Sequence, residues 1–221
     1  MQVFWLFQWK VELRAMRCEH LIIFLKAPRE GLVKTRLARA IGPEAACDAY
    51  RRLLGVLISS LAILPEVELR FAPDDAVSEI RAWQQPTWDL RGQGEGDLGD
   101  RLQNAFANAF AGGAERVVIV GSDCPSVVVQ DIEAAWGALR GHELVLGPAR
   151  DGGYWLIGLN QPEPGLFREM TWSTETVLHE TLRRAEGAGL TFKLLQELAD
   201  VDDERDWEEF LGLESMRKMK P

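Results

Sequence analysis

The sequence predicts an α/β domain with a mostly parallel central sheet, and three observations carry that expectation. Short apolar runs of strand length alternate along the chain with stretches whose apolar residues recur at helical spacing. Residues 117–120 (VVIV) are apolar throughout and closed by Gly121, the pattern of a strand in the middle of a helix-covered parallel sheet. The chain has 221 residues and is 47% apolar, ample for a single large core.

Taken in order, residues 20–25 (HLIIFL) read as a buried strand that enters a loop at Lys26, Pro28 and Gly31. From Pro43, the spacing of Tyr50, Leu53, Leu54, Leu57, Ile58 and Leu61 predicts a long helix with one apolar face. Residues 67–71 alternate as a strand, 76–83 suit a short helix, and 87–90 are a weaker strand before a glycine-dense turn. Leu98, Leu102, Ala105, Phe106 and Ala109 give a second helical stripe, and a third helix is expected over 128–139. Strands are expected over 144–146 and 154–159, joined through Asp151, Gly152 and Gly153, then a helix over 174–186 and a strand over 191–195. Asp203 is the expected N-cap of a last helix over 204–211. No internal repeat, low-complexity tract or flexible linker divides the chain.

Charge and cysteine usage exclude several functions. The 34 acidic residues outnumber the 25 basic ones, for a net charge of −9, which excludes a nucleic-acid binder that works through bulk positive charge. Cys18, Cys47 and Cys124 are far apart with no C-x-x-C pair, so neither a disulfide framework nor a cysteine zinc site is expected, and a reducing, cytoplasmic setting fits. Residues 1–9 are apolar but far short of a membrane span and lack the build of a signal peptide. Residues 1–15 are therefore expected to be an extension ahead of a single domain over 16–221, with Met16 an alternative start that intact mass would decide.

In open α/β sheets ligands bind beyond the carboxyl ends of the strands, and two segments of unusual composition fall there. Residues 26–39 (KAPREGLVKTRLAR) hold Lys26, Arg29, Lys34, Arg36 and Arg39 against the single acid Glu30. Cations and loop N–H groups ahead of a helix suit a phosphate, although a solvated basic loop has the same composition. The spacing of Gly31 and Lys34 is not that of a Walker A loop. The second segment is Gly121-Ser122-Asp123-Cys124-Pro125, where Asp123 can offer oxygen to a hard divalent cation or can cap the next turn. No histidine stands near Cys124, which argues against a cysteine nucleophile.

Two further motifs are ambiguous. Residues 197–209 carry eight acids and one base, either a solvated helix start or, through Asp200 and Asp202, a source of further metal ligands. Residues 94–99 (GEGDLG) satisfy G-x-G-x-x-G, but Glu95 and Asp97 would put negative charge at a pyrophosphate. A flexible loop with Asp97 or Arg101 facing the ligand is the better expectation.

In register along the chain, KAPREGLVKTRL, GEGDLGDRL, GSDCPS, GPARDGGYWLIGL, TWST and DVDDERDW resemble the family called transferase 1, radical-SAM and selenodomain-associated, over about residues 20–210. Its members are labelled glycosyltransferases and are similar to 2-phospholactate guanylyltransferase. The resemblance implies the GT-A, nucleotide-diphospho-sugar transferase fold, a three-layer α/β/α sandwich. It implies phosphate binding by Lys26, Gly31, Lys34 and Arg36, and a metal, Mg²⁺ or Mn²⁺, at Asp123 with Asp202 or Asp200. Asp151, Gly152, Gly153 and Tyr154 become an acceptor-side loop, with Asp123 and Asp151 the candidate catalytic residues. Trp172, Ser173 and Thr174 would close the pocket, although Ser173 or Thr174 suits an N-cap equally.

The implied partners are a nucleotide sugar or nucleoside triphosphate and a small-molecule acceptor. One departure from the glycosyltransferase pattern matters: many GT-A enzymes carry D-x-D, whereas Asp123 is followed by Cys124 and Pro125. A single Asp before Pro looks more like a nucleotidyltransferase. Glycosyl transfer is the first expectation from the family label and nucleotidyl transfer the second. A nucleotide-binding protein without turnover is the rival of another class.

Overall fold

The structure, a computed structural model, describes residues 18–218. The expected extension over 1–15 and the choice between Met1 and Met16 lie outside the described residues. In chain order the elements are β1 (Glu19–Lys26), α1 (Thr35–Ile41), α2 (Pro43–Leu61), β2 (Val67–Ala72), α3 (Val77–Ile80), β3 (Asp89–Gly92), α4 (Leu98–Ala111), β4 (Arg116–Gly121), α5 (Val129–Ala138), β5 (Leu144–Pro148), β6 (Tyr154–Leu159), α6 (Val177–Gly187), β7 (Phe192–Leu194) and α7 (Glu204–Lys218). Short 3₁₀ turns fall at Arg81–Trp83 and Pro164–Leu166.

The seven strands form one sheet in the order β3-β2-β1-β4-β6-β5-β7. Every pairing is parallel except those of β6, which runs antiparallel to both β4 and β5. That reversal follows from the short connection through Asp151–Gly153, too brief for the crossover that parallel neighbours require. The predicted mostly parallel sheet is therefore the one found.

Three layers result because the inner strands are apolar on both faces. Leu21, Ile23, Val118 and Val120 pack with Leu54, Leu57 and Ile58 of α2 and Ile132 and Ala135 of α5. Ile22, Phe24, Val117 and Ile119 point the other way, onto Leu102, Ala105 and Phe106 of α4 and Ala185 of α6. Fully burying each such side chain contributes about 1.5–3 kcal/mol as an upper estimate. Truncating one to alanine costs about 2–5 kcal/mol because a cavity is left as well.

Two differences from the sequence reading bear on the site. Residues 26–39 were expected to be loop, but the basic segment turns helical at Thr35, with Lys34 as N-cap in left-handed backbone (φ 47, ψ 46). Helix α1 buries only Leu37 of its own residues, too little apolar periodicity over seven positions to read against the stronger signal that starts at Pro43. The last helix runs beyond 211 to Lys218. Asp203 caps it as expected, accepting from the Asp206 amide at 3.1 Å.

Helix α7 then packs back on α2, where Val201 and Phe210 bury Leu53, and Trp207 meets Leu37 of α1. This return brings the acidic C-terminal segment to the basic N-terminal one. Among the described residues no helix is long and apolar enough to cross a membrane.

Candidate functional site

At the carboxyl ends of β1, β3, β4 and β5 the loops enclose a cleft of about 470 Å³, within the roughly 300–1,000 Å³ of small-molecule sites. A smaller, apolar hollow of about 90 Å³, lined by Pro125, Val201, Phe210 and Leu213, shares Asp200 with it. Only the larger cleft has room for a nucleotide.

The centre of the cleft is an ion cluster. The Lys34 ammonium contacts the Asp123 carboxylate and lies 3.1 Å from Asp202 Oδ1, while Arg36 Nη1 lies 3.5 Å from Asp202 Oδ2. The lysine side chain is 3% exposed, against 49% for Asp123 and 35% for Asp202. Burial opposes its charge, but Asp123 and Asp202 outweigh that effect and hold its pKa above the ordinary value.

Backbone contacts fix the two carboxylates. The Val201 amide donates to the Asp123 carbonyl at 3.0 Å, tying the loop after β4 to the C-terminal segment. Asp206 Oδ2 accepts from the Asp202 and Asp203 amides at 3.0 and 3.3 Å, so the cap of α7 also orients Asp202. Asp200 lies alongside, and burial first, then Asp123, Asp151 and Asp202, push its pKa up to about 7.

The basic segment is held open from below. Tyr50 of α2 accepts from the Lys26 amide at 2.9 Å and shares a hydrogen bond of 2.8 Å with Ser122 Oγ, joining the ends of β1 and β4. Burial, then Asp123, raises the pKa of its phenol, so it stays a neutral hydroxyl. Cys124 is buried against Ser126, and burial pushes its thiol up to about 12, which leaves no thiolate for nucleophilic work.

On the far wall, Asp151 Oδ1 accepts from the Gly153 amide at 2.9 Å. Gly152 (φ 87) lies so close to the turn before α6 that a Cβ would stand 2.1 Å from the Glu175 carbonyl oxygen. Its own carbonyl accepts from the Leu178 amide at 2.9 Å. Tyr154, Trp172, Ser173 and Thr174 complete this wall. Neither Ser173 nor Thr174 caps α6: its N-cap is Thr176, without a side-chain bond, and Thr174 Oγ1 donates to the Thr171 carbonyl instead.

Most of the residues expected from sequence thus line one cleft: Lys26, Lys34 and Arg36 on one side, Asp123, Asp200 and Asp202 at the centre, and Asp151 with Gly153 opposite. Four do not. Gly31 (φ 73) stays in the turn between β1 and α1, and Gly152 packs on Glu175. Asp97 is corrected from ligand contact to helix cap, since it forms a capping box with Asp100 at the start of α4. Arg101 is corrected likewise: its Nε donates to the Gly96 carbonyl at 3.1 Å and its Nη1 to Gln93 Oε1 at 3.3 Å.

Gln93 was missed by sequence reasoning. Buried at the end of β3, it lines the cleft and donates from Nε2 to the Leu25 and Arg70 carbonyls at 3.0 and 3.1 Å. Both amide hydrogens are thereby used, and Oε1 alone is left to accept. Tyr50 and Ser122 were missed too, because one reads as helix core and the other as a filler in the GSDCPS loop.

The donor set fits a hard divalent cation. Asp123 and Asp202 offer carboxylate oxygens from two separate loops, and an ammonium already stands between them as a stand-in cation. Among the described residues, no three His, Cys, Asp or Glu side chains are yet gathered closely enough to hold an ion. The pair is organised around Lys34.

Comparison with known proteins agrees with this architecture. No curated protein matches the chain in sequence. A structure from Desulfovibrio desulfuricans G20, provisionally named a nucleotide-diphospho-sugar transferase, is 32% identical over 85% of this chain and 84% of its own, with a TM-score of 0.80. The 4-diphosphocytidyl-2C-methyl-D-erythritol synthase of Anaerococcus prevotii is 14% identical over 89% of this chain and 96% of its own (TM-score 0.58). Rv0371C of Mycobacterium tuberculosis H37Rv, solved in complex with manganese, is 16% identical over 87% and 97% (TM-score 0.54). The last two show the fold alone, a nucleotide-diphospho-sugar transferase-like α/β sandwich. The family model described as "Uncharacterized protein conserved in bacteria (DUF2064)" matches residues 60–174, just over half of the chain and including Asp123 and Asp151, and the chain belongs to that family.

Proposed function

We propose that this protein is a divalent-metal-dependent transferase that uses a nucleotide, and that it transfers the nucleotidyl group to a small acceptor with release of pyrophosphate. The observation that carries the reading is the convergence of Lys34 and Arg36 with Asp123 and Asp202 in one cleft at the carboxyl edge of the sheet. Cations beside an oxygen-ligand pair are what a polyphosphate and its metal require.

Lys26, Lys34 and Arg36 bind and neutralise the phosphates and the departing pyrophosphate. Asp123 and Asp202 hold the ion, with Asp200 beside them. The ion, when bound, offsets phosphate charge and polarises the phosphoryl group. Asp151 and the backbone of Gly153 orient the acceptor on the opposite wall. The acceptor oxygen bonds to the α-phosphorus as the bond to pyrophosphate breaks, the electron pair leaving with pyrophosphate.

Nucleotidyl transfer is preferred because the carboxylates come singly from two loops, and the position two residues beyond Asp123 is Pro125 instead of a second Asp. Glycosyl transfer from a nucleotide sugar is the second reading. It is supported by the provisional name of the 32% identical Desulfovibrio structure and by the resemblance to the radical-SAM and selenodomain-associated transferases.

Thermal shift across nucleoside triphosphates and nucleotide sugars, with and without Mg²⁺ or Mn²⁺, tests the proposal, since a ligand of the native state raises apparent stability. Triphosphates alone are expected to stabilise the protein in a metal-dependent way, with pyrophosphate released when the acceptor is supplied. Stabilisation by nucleotide sugars alone would move the assignment to glycosyl transfer. No shift with any nucleotide would refute both.

A further inference from the structure

Lys34 is oddly placed for a residue whose task is to grip phosphate. Its side chain is 3% exposed and faces inward, with its ammonium on two carboxylates that are themselves 49% and 35% open to the cleft. A divalent ion bound by Asp123 and Asp202 would need the space and the oxygen atoms that this ammonium uses. Like charges at such a distance repel, and more so when one of them is double.

We propose that Lys34 is an internal counter-ion that closes the carboxylate pair to free divalent cations until the phosphates of a nucleotide draw it away, so that metal and nucleotide bind as a coupled pair. The inference rests on the reading of the cleft as a nucleotide-transferase site. Three observations support it. The two candidate ligands already share one cation, and no third acidic, His or Cys side chain is gathered with them among the described residues. Lys34 is the N-cap of a seven-residue helix and reaches the pair through a flexible four-carbon stem, so its ammonium can move while α1 stays packed through Leu37. Arg36 already reaches Asp202 from the first turn of α1, so a second cation remains beside the pair when Lys34 leaves.

The coupling is reciprocal: whatever factor the nucleotide adds to metal affinity, the metal adds to nucleotide affinity. Couplings of this kind are on the order of 5- to 150-fold. Loss of the lysine therefore has opposite effects on the two ligands. It frees the carboxylates for metal and removes a phosphate contact.

The test is a titration of chelator-stripped protein with Mn²⁺ in the absence of nucleotide, reading the free ion by electron paramagnetic resonance. Wild type is expected to bind weakly, Lys34→Met to bind about tenfold tighter or better, and Asp123→Asn in the Lys34→Met background to lose the gain. Equal or weaker binding by Lys34→Met overturns the proposal. Lys34→Gln serves the same comparison if the methionine variant does not fold. Wild type alone supplies a further arm: Mn²⁺ binding as tight without inorganic pyrophosphate as with it also overturns the proposal. The nucleotide thermal shift of wild type is read separately. Its absence refutes the transferase reading, whereas the Mn²⁺ titration judges only the role of Lys34.

Discussion

Arg29 and Lys34 stand in the same basic segment and each faces two carboxylates, yet they serve different ends. Arg29 meets Glu79 at 2.6 Å and Asp75 at 3.1 Å in a pair network open to water, the three side chains being 35%, 36% and 75% exposed. Lys34 is withdrawn from water, and its partners Asp123 and Asp202 face a cleft. The first cluster ties the loop after β1 to α3, its charges answered by one another and screened by salt. The second keeps a buried cation against carboxylates that a ligand can reach. Burial of the cation, and what its partners face, separates a structural ion pair from a candidate site; composition does not.

The largest expected effect is at the cleft. Asp123→Ala should lower the transfer rate by about 10²- to 10³-fold, the scale on which a group that stabilises developing charge acts, and abolish the metal-dependent part of a nucleotide thermal shift. Lys34→Ala should weaken nucleotide binding with or without metal. If both variants keep wild-type nucleotide shifts, the distinction between the two clusters collapses and Lys34 joins Arg29 as a structural residue.

The sequence foretold the fold more fully than the site, for physical reasons. Strands such as 117–120 announce themselves because burial on both faces demands an apolar run, and α2 because one buried face demands a 3.6-residue period. The helical turn of α1 was invisible, since it buries only Leu37. Asp123, Asp202 and Lys34 could be nominated from charge and from the family resemblance, but their meeting depends on α7 folding back onto α2. Gln93 carried no signal at all: a glutamine after a weak strand becomes distinctive only when the Leu25 and Arg70 carbonyls take both of its amide hydrogens. Asp97 misled because a residue in a glycine-rich motif looks available for a ligand, whereas the first turn of α4 needed its carboxylate as a cap.

A second prediction concerns shape instead of charge. Gly152→Ala should lower stability by about 2 kcal/mol or more, because φ of 87 disfavours a side chain and a Cβ would overlap the Glu175 carbonyl. For a chain of this size that is roughly 4–8 °C in Tm. Calorimetry of the variant checks it, and an unchanged Tm would mean that the Asp151 loop is not held against α6 as the geometry requires.

The acid cluster itself can be probed by pH. Asp200, pushed up to about 7 by burial and then by its acidic neighbours, holds its proton more tightly folded than unfolded, where an aspartate titrates near 3.9. Its contribution to stability is therefore complete below about pH 4 and is lost as pH rises through 7. Asp200→Asn cannot ionise, so in metal-free protein it should gain Tm over wild type at pH 8, and the gain should shrink toward pH 5. A difference that does not vary with pH would detach Asp200 from the carboxylates around Lys34.

The smallest effect is expected where the comparison began. Arg29→Ala removes the same formal charge from the same segment as Lys34→Ala, but the group it removes is exposed, and Glu79 and Asp75 return to water without burying an unpaired charge. Tm should fall slightly, by an amount that shrinks further as salt is raised, and the nucleotide thermal shift should match wild type. The salt series separates the two clusters: a screened surface pair fades with ionic strength, whereas the loss of the buried Lys34 ammonium leaves Asp123 and Asp202 facing each other at any salt. A nucleotide shift that weakens in Arg29→Ala as it does in Lys34→Ala would mean that the whole basic segment acts as one electrostatic field, and that the burial of Lys34 is incidental to phosphate binding.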